Sequence, residues 1–343
     1  MIDAEKRLYF ASWLVSKFIN VFKKPRTLDF KRILIVRLDE IGDMATTLPV
    51  FEALHERYPD AEITLWCKNF VAPLVQNCPY IHHIVHQKTE LSGYYPLILE
   101  LRGTWQSLFF ALLHRPKIRL DRGSVRLKNK FSKAKHPHEV HTNLQVIEPI
   151  LLSPPLSPNT TIFTARRNEQ NAQLFLQRHN IAKFALLHTG ARKKLRRWSP
   201  ANFAEIAVYL KDARGLEIIF VGDDSEAMAI QKIQSLIYFE TYNFAGQGTL
   251  MDYVALAKKA TLMLGNESGP AHLAAAVNTP TITLFGPGEP HIFAPYGTQT
   301  VFLHHELPCN PCNQIDCIMP KNPCINHITV QEVIEKIRLL LDN

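Results

Sequence analysis

From residue 33 onward, short apolar runs of strand length alternate with stretches of helical period. Ile33 to Leu38 reads as a buried strand, Met44 to Arg57 as a helix, Glu62 to Cys67 as a second strand and Asn69 to Gln76 as a second helix. Tyr95 to Leu101 and Ile118 to Leu120 continue as strands, with Trp105 to Leu113 helical between them. Ser153-Pro154-Pro155-Leu156-Ser157-Pro158 then breaks the pattern and marks a linker. The alternation restarts with strands at Phe184 to Leu187, Glu217 to Val221, Leu262 to Leu264 and Thr281 to Leu284. Between them lie helices from Asn202 to Lys211, Ser225 to Leu236 and Leu250 to Lys258. Repeated strand and helix predict parallel sheets, so the fold class is α/β, with two doubly wound domains in tandem. Ligands of such sheets bind beyond the carboxyl ends of the strands, and a substrate pair is expected to meet in a cleft between the halves.

The first thirty residues follow a different rule. Phe10, Leu14, Phe18 and Phe22 recur every fourth position, Trp13 and Val21 flank them, and Lys6, Arg7, Lys17, Lys23, Lys24 and Arg26 add positive charge. An amphipathic helix lying on an anionic bilayer has this pattern, and so has a helix packed on its own domain. The expected organisation is an amphipathic element over 1–30, a Rossmann-like domain over 31–158 and a second over 159–343.

Composition adds limits. The chain has 343 residues, 46% of them hydrophobic, and a formal charge of +8. It contains no apolar run of membrane-spanning length and no secretory cleavage pattern, which predicts a cytoplasmic protein. The charge concentrates at Arg115, Lys117, Arg119, Arg122, Arg126, Lys128, Lys130, Lys133 and Lys135 against Asp121 alone. An acidic partner fits, either a phosphorylated glycan or an anionic lipid, and a solvated basic loop fits as well. Nucleic acid is disfavoured, because no zinc-finger spacing, recognition helix or aromatic-basic RNA motif accompanies the charge.

Three segments carry the chemistry. Gly265-Asn266-Glu267-Ser268-Gly269-Pro270-Ala271-His272 reads as a strand end, an anion-binding turn and a helix start, with Pro270 in the first helical turn. His188-Thr189-Gly190-Ala191 is followed by Arg192, Lys193, Lys194, Arg196 and Arg197, cations able to stabilise a departing diphosphate. Asp39-Glu40-Ile41-Gly42-Asp43 follows the first strand, without the glycine spacing of a dinucleotide site or the Gly-Lys-Ser/Thr ending of a P-loop. Asp43 therefore stands where a general base would meet a substrate, or where a helix cap would sit.

These segments, with Val221 to Glu226 and Phe244-Ala245-Gly246, resemble glycosyltransferase family 9, the heptosyltransferases of lipopolysaccharide core assembly, from about Lys31 to the carboxyl terminus. The resemblance implies a GT-B architecture of two Rossmann-like domains and a metal-independent, inverting transfer. It implies ADP-heptose as donor and a lipopolysaccharide core or other phosphorylated glycolipid as acceptor. By position, Asp43 matches the catalytic base and Arg196 a phosphate-facing lysine. Thr189, Gly190, Glu267, Ser268, Gly269 and His272 match the donor-binding turns, Glu267 replacing the usual Asp. Asp39, Glu40, Gly42, Thr46, Arg122, Arg126 and Lys128 are assigned to the acceptor. Asp39 and Glu40 replace two serines and Thr46 a histidine, so the acceptor pocket is charged differently. The implied location is peripheral, at the inner face of the cytoplasmic membrane. Transfer of another sugar, sugar-nucleotide epimerisation and a non-catalytic membrane-associated scaffold are the competing functions.

Cys309-x2-Cys312-x4-Cys317-x6-Cys324 stands apart. Four thiols at these spacings could hold a structural metal, pair as disulfides or stay reduced.

Overall fold

Strands buried on both faces organise the chain around two sheets in which every neighbouring pair is parallel. The computed structural model describes residues 2–21, 23, 25–131, 136–153, 158–310, 312 and 314–342, without the side chains of residues 2–6 and 131. Two compact units result, Met1–Phe163 and Thr164–Asn343. The boundary falls a few residues beyond the proline-rich segment, of which residues 154–157 lie outside the described residues.

The first unit contains β1 (Arg32–Arg37), β2 (Glu62–Cys67), β3 (His83–Val85), β4 (Leu97–Arg102) and β5 (Ile118–Asp121), in the order β3-β2-β1-β4-β5. Its helices are α1 (Ile2–Ile19), α2 (Ile41–Ala45), α3 (Leu48–Arg57), α4 (Trp105–His114), α5 (Arg122–Phe131) and α6 (Glu139–Ile147). Ile33, Leu34, Ile35 and Val36 are buried along β1, as a central parallel strand requires. The single helix expected over 44–57 is two, because α2 ends at Thr46-Thr47 and Pro49 starts α3 afresh. The helix expected from Asn69 is a 3₁₀ segment, Asn69–Leu74, with Pro73 inside it.

The second unit contains β6 (Phe184–His188), β7 (Glu217–Phe220), β8 (Tyr242–Asn243), β9 (Leu262–Asn266), β10 (Thr281–Phe285) and β11 (Thr300–His304), in the order β11-β10-β9-β6-β7-β8. Its helices are α7 (Arg166–Arg178), α8 (Pro200–Arg214), α9 (Ala227–Gln234), α10 (Leu250–Ala257), α11 (Gly269–Ala276), α12 (Pro290–Phe293) and α13 (Val330–Leu341). Leu187, Phe203, Leu210, Ile218, Phe220, Leu264, Leu284 and Ile337 form its core. In each unit the strand order reverses beside the first strand, at β1/β4 and at β6/β9. These are the switch points where doubly wound sheets place their ligands.

The amino-terminal helix is part of the first unit and packs by its polar side. Ser12 and Ser16 are buried, and their hydroxyl groups accept from Arg119 at 2.7 and 2.6 Å. Ser16 also donates to Asp121 at 2.6 Å. Just past α1, the Asn20 amide donates to the Arg119 carbonyl at 2.7 Å and accepts its N–H at 3.0 Å, closing the open edge of β5. The apolar stripe faces outward instead, with Phe18 78% exposed and Phe10, Leu14 and Val21 about half exposed. Phe22 and Lys24 lie outside the described residues.

The basic run is likewise less superficial than its composition suggests. Arg119 and Arg122 are buried, and residues 122–131 form a helix rather than a loop. Lys133 and Lys135 lie outside the described residues. Arg119 pairs with Glu100 at 2.9 Å and Asp121 at 3.4 Å, and all three are buried. Replacing Arg119 with Met strands two buried carboxylates, so it should cost about 3–5 kcal/mol in urea unfolding. A loss below about 1 kcal/mol would show that the pair does not hold the edge of the sheet.

Candidate functional site

At the first switch point, β1 ends in a buried arginine that organises everything after it. Arg37 donates to the Leu101 carbonyl at 3.0 Å and to the Asp43 carbonyl at 2.9 Å. Its guanidinium lies 3.5 Å from both the Asp39 and the Asp43 carboxylates. The second Asp43 oxygen accepts the Glu40 N–H at 3.3 Å, so Asp43 reaches back to its own helix start while its side chain remains 29% exposed. Thr46 and Thr47 both donate to the Asp43 carbonyl at 2.9 Å. The base candidate is thus anchored from below with a carboxylate face left toward solvent. Arg102, at the end of β4, pairs with Asp39 at 3.3 Å and donates to the Tyr9 hydroxyl of α1 at 2.9 Å. Burial raises the Asp39 carboxyl above its ordinary range despite Arg37.

Several residues expected at the acceptor make supporting contacts within the unit. Thr46 is buried and also takes a hydrogen bond from Asn143 at 3.3 Å, so it stands behind Asp43 rather than in front of it. Arg122 and Arg126 both pair with Glu139, whose carboxyl they hold below its ordinary value against the opposing effect of burial. Lys128 lies on α5, at a cavity of about 910 Å³ that α1 also lines. Asp39, Glu40 and Gly42 do border Asp43, with Glu40 3.1 Å from Lys68. Arg37, Arg102 and Lys68 were not singled out as site residues, because an arginine ending an apolar strand looks like surface charge until the sheet order is known.

At the second switch point, Asn266 ends β9. Its side chain donates to the Thr189 carbonyl at 2.8 Å and accepts the Trp198 N–H at 3.0 Å, tying the two turns together. Glu267 follows, 6% exposed, with one oxygen 3.0 Å from Arg196 and the other buried without a hydrogen-bond partner among the described residues. A Cβ at Gly288 would collide with that second oxygen. Burial outweighs the charge of Arg196 and pushes the Glu267 carboxyl up to about 7. Ser268, Gly269 and His272 then open α11, whose N-cap serine makes no capping hydrogen bond. The first N–H groups of the helix are not taken up by that hydroxyl.

Arg196 is held from its other side by Gln314, whose side-chain oxygen accepts from it at 2.7 Å. Gln314 has φ 60°, in the left-handed region, and its N–H donates to the Cys312 sulfur at 3.3 Å. The cysteine loop therefore braces the arginine. All six cysteines are unpaired, and Cys317 takes the Met319 N–H at 3.4 Å. Among the described residues, no three His, Cys, Asp or Glu side chains are gathered to hold a metal ion. Of the three states open to Cys309, Cys312, Cys317 and Cys324, the structure has the unpaired thiols, which make local backbone contacts, and a structural metal is not shown.

Residues 85–322 match the family model described as glycosyltransferase family 9 (heptosyltransferase). Lipopolysaccharide heptosyltransferase 3 of Escherichia coli is 27% identical over 282 residues, covering 74% of this chain and 82% of that protein. A glycosyl transferase family 9 structure from Veillonella parvula DSM 2008 superposes with a TM-score of 0.78 at 19% identity, covering 93% of this chain and 99% of that one. The E. coli ADP-heptose lps heptosyltransferase II gives 0.71 at 20% identity, covering 90% and 98%. These two likenesses establish a shared fold.

The Glu267 carboxyl yields a pH test. Its folded value near 7 lies above an unfolded value near 4.5, so folding takes up a proton. The stabilisation is complete below about pH 4.5 and is lost as pH rises through 7. Neutral Glu267 also leaves the charge of Arg196 free for an anion. Calorimetry should find nucleoside diphosphate affinity falling several-fold between about pH 6 and 8, and Glu267→Gln should flatten that slope. A slope retained in Glu267→Gln would locate the titration elsewhere.

Proposed function

The chain belongs to glycosyltransferase family 9, and from that premise we propose that it moves a heptose or closely related sugar from ADP-heptose to a lipopolysaccharide core acceptor, inverting the anomeric centre. The carrying observation is the pairing of chemistries at the two switch points. The first offers an anchored, partly exposed carboxylate, and the second a guanidinium beside an uncapped helix start. A solved neighbour that is itself an ADP-heptose lps heptosyltransferase supports the donor. Family membership sets aside the epimerase and the non-catalytic scaffold.

Asp43 accepts the proton of an acceptor hydroxyl as that oxygen attacks the anomeric carbon. The bond from that carbon to the diphosphate breaks in the same displacement, which inverts the centre. The leaving diphosphate gains charge, and Arg196 with the N–H groups of α11 stabilises that charge more in the transition state than in the ground state. Arg37 holds the Asp43 backbone and carboxylate while the acceptor docks. Asp39, Glu40 and Gly42 border the acceptor there. Thr189, Gly190, Ser268, Gly269 and His272 line the donor turns, and no step requires a metal.

The acceptor lipid and the outward stripe of α1 support a bilayer location at the inner face of the cytoplasmic membrane. Phe10, Leu14, Phe18 and Val21 would enter the headgroup boundary, and Lys17 and Lys128 are exposed beside them for lipid phosphates. Among the described residues no helix is long and apolar enough to cross a membrane.

Asp43→Ala should leave ADP affinity within about twofold and lower transfer about 10²–10⁴-fold, read from labelled ADP-heptose and a core acceptor. Near-normal transfer would remove Asp43 from the role of base. The wild-type chain should sediment with phosphatidylglycerol vesicles, and Leu14→Ser with Phe18→Ser should abolish this while the melting temperature holds. Sedimentation unchanged by that pair would dismiss the stripe as the contact.

A further inference from the structure

The hydroxyl of Ser268 is turned away from the helix it begins. Serine at an N-cap ordinarily accepts an N–H from the first turn, but Ser268 Oγ lies 2.9 Å from the Asn266 carbonyl and 2.9 Å from His188 Nδ1. His188 is the last residue of β6 and is 4% exposed. Its other ring nitrogen, Nε2, is 3.3 Å from a Glu226 carboxylate oxygen. The room for that carboxylate is specific, since a Cβ at either Gly190 or Gly222 would run into Glu226. These two glycines leave space for a partly buried acid beneath the His-Thr-Gly turn.

The hydrogen-bond inventory sets the protons. The Asn266 carbonyl can only accept, whereas His188 Nδ1 donates or accepts according to its tautomer; a Ser268 hydrogen directed to the carbonyl leaves Oγ as an acceptor toward His188. Glu226 accepts on the other side. With the Ser268 hydrogen on Asn266 both ring nitrogens face acceptors, the arrangement of an imidazolium; with that hydrogen on Nδ1, a neutral imidazole donating from Nε2 to Glu226 fits the same distances. Burial alone would raise the Glu226 carboxyl, yet the hydrogen bond and charge of His188 hold it below its ordinary range.

We propose that His188 and Glu226 are positioning residues for the donor diphosphate: the imidazolium, clamped by Glu226, fixes Ser268 Oγ so that its O–H swings from Asn266 to an oxygen of the terminal phosphate. The same clamp keeps the hydroxyl off the first turn of α11 and leaves those N–H groups for the anion. The proposal rests on the donor-site reading above, and no bond is made or broken in it.

Calorimetry on the full chain tests it with ADP and AMP as probes. His188→Gln and Ser268→Ala should each weaken ADP about tenfold, leave AMP within about twofold, and combine with no further loss in the double variant, as members of one relay must. In ¹⁵N-histidine spectra at neutral pH, His188 should carry protons on both ring nitrogens in the wild type and on one in Glu226→Gln. Additive losses, unchanged ADP affinity in His188→Gln or a neutral wild-type imidazole would overturn the relay while leaving the donor site standing. Wild-type protein that binds no nucleoside diphosphate would overturn the donor-site reading itself, and the relay with it. Should His188→Gln fail to fold, Glu226→Gln and Ser268→Ala carry the cycle.

Discussion

A guanidinium removed from water must be answered by carboxylates or carbonyls at close range, and the first unit is built around that demand. Arg37 and Arg119 are fully buried and Arg122 nearly so. Each gathers a different set of partners: Asp39 and Asp43 for Arg37, Glu100 and Asp121 for Arg119, Glu139 for Arg122. An unpaired charge there would cost several kcal/mol, so the partners are held with far less freedom than exposed ion pairs allow. The proposed base inherits its position from this arrangement. Asp43 sits where the compensation of Arg37 requires a carboxylate, and its remaining exposure is what chemistry can use.

The second unit handles charge differently. Arg196 is partly exposed and is shared between a carboxylate that burial keeps near neutrality and a neutral amide from the cysteine loop. Neither partner cancels its charge firmly. An arginine braced in direction but weakly compensated suits the proposed diphosphate site.

Much of this was readable in the sequence, and the limits have physical causes. The central strands announced themselves because burial on both faces demands nearly unbroken apolar runs, as in Ile33 to Val36. The short strands at His83 to Val85 and Tyr242-Asn243 did not, since they lie toward sheet margins and are too brief to show a period. The turns around Asp43, Thr189 and Ser268 were legible through their small and polar residues at strand ends. What could not be read was direction. Arg119 and Arg122 read as part of a basic run for an acidic partner, Arg122 being assigned to the acceptor, because a single sequence does not say that Glu100 and Glu139 lie across from them. Gln314 was invisible for the same reason, being separated from Arg196 by 118 positions. The polar side of α1 was the sharpest reversal: helical periodicity located the stripe correctly, and only the buried Arg119 decides that Ser12 and Ser16 face inward.

That reversal bears on how the chain is made. The seat of α1 is β5, and Ser16 meets Asp121 across 105 positions. At ribosomal speeds of about 5–20 residues per second, roughly 5–20 s pass between synthesis of the helix and synthesis of its seat. During that interval an aromatic, basic segment has no folded partner and is open to chaperones and to the nearest anionic surface. If the proposed bilayer contact is made during that interval, the chain completes its first domain already beside the lipid.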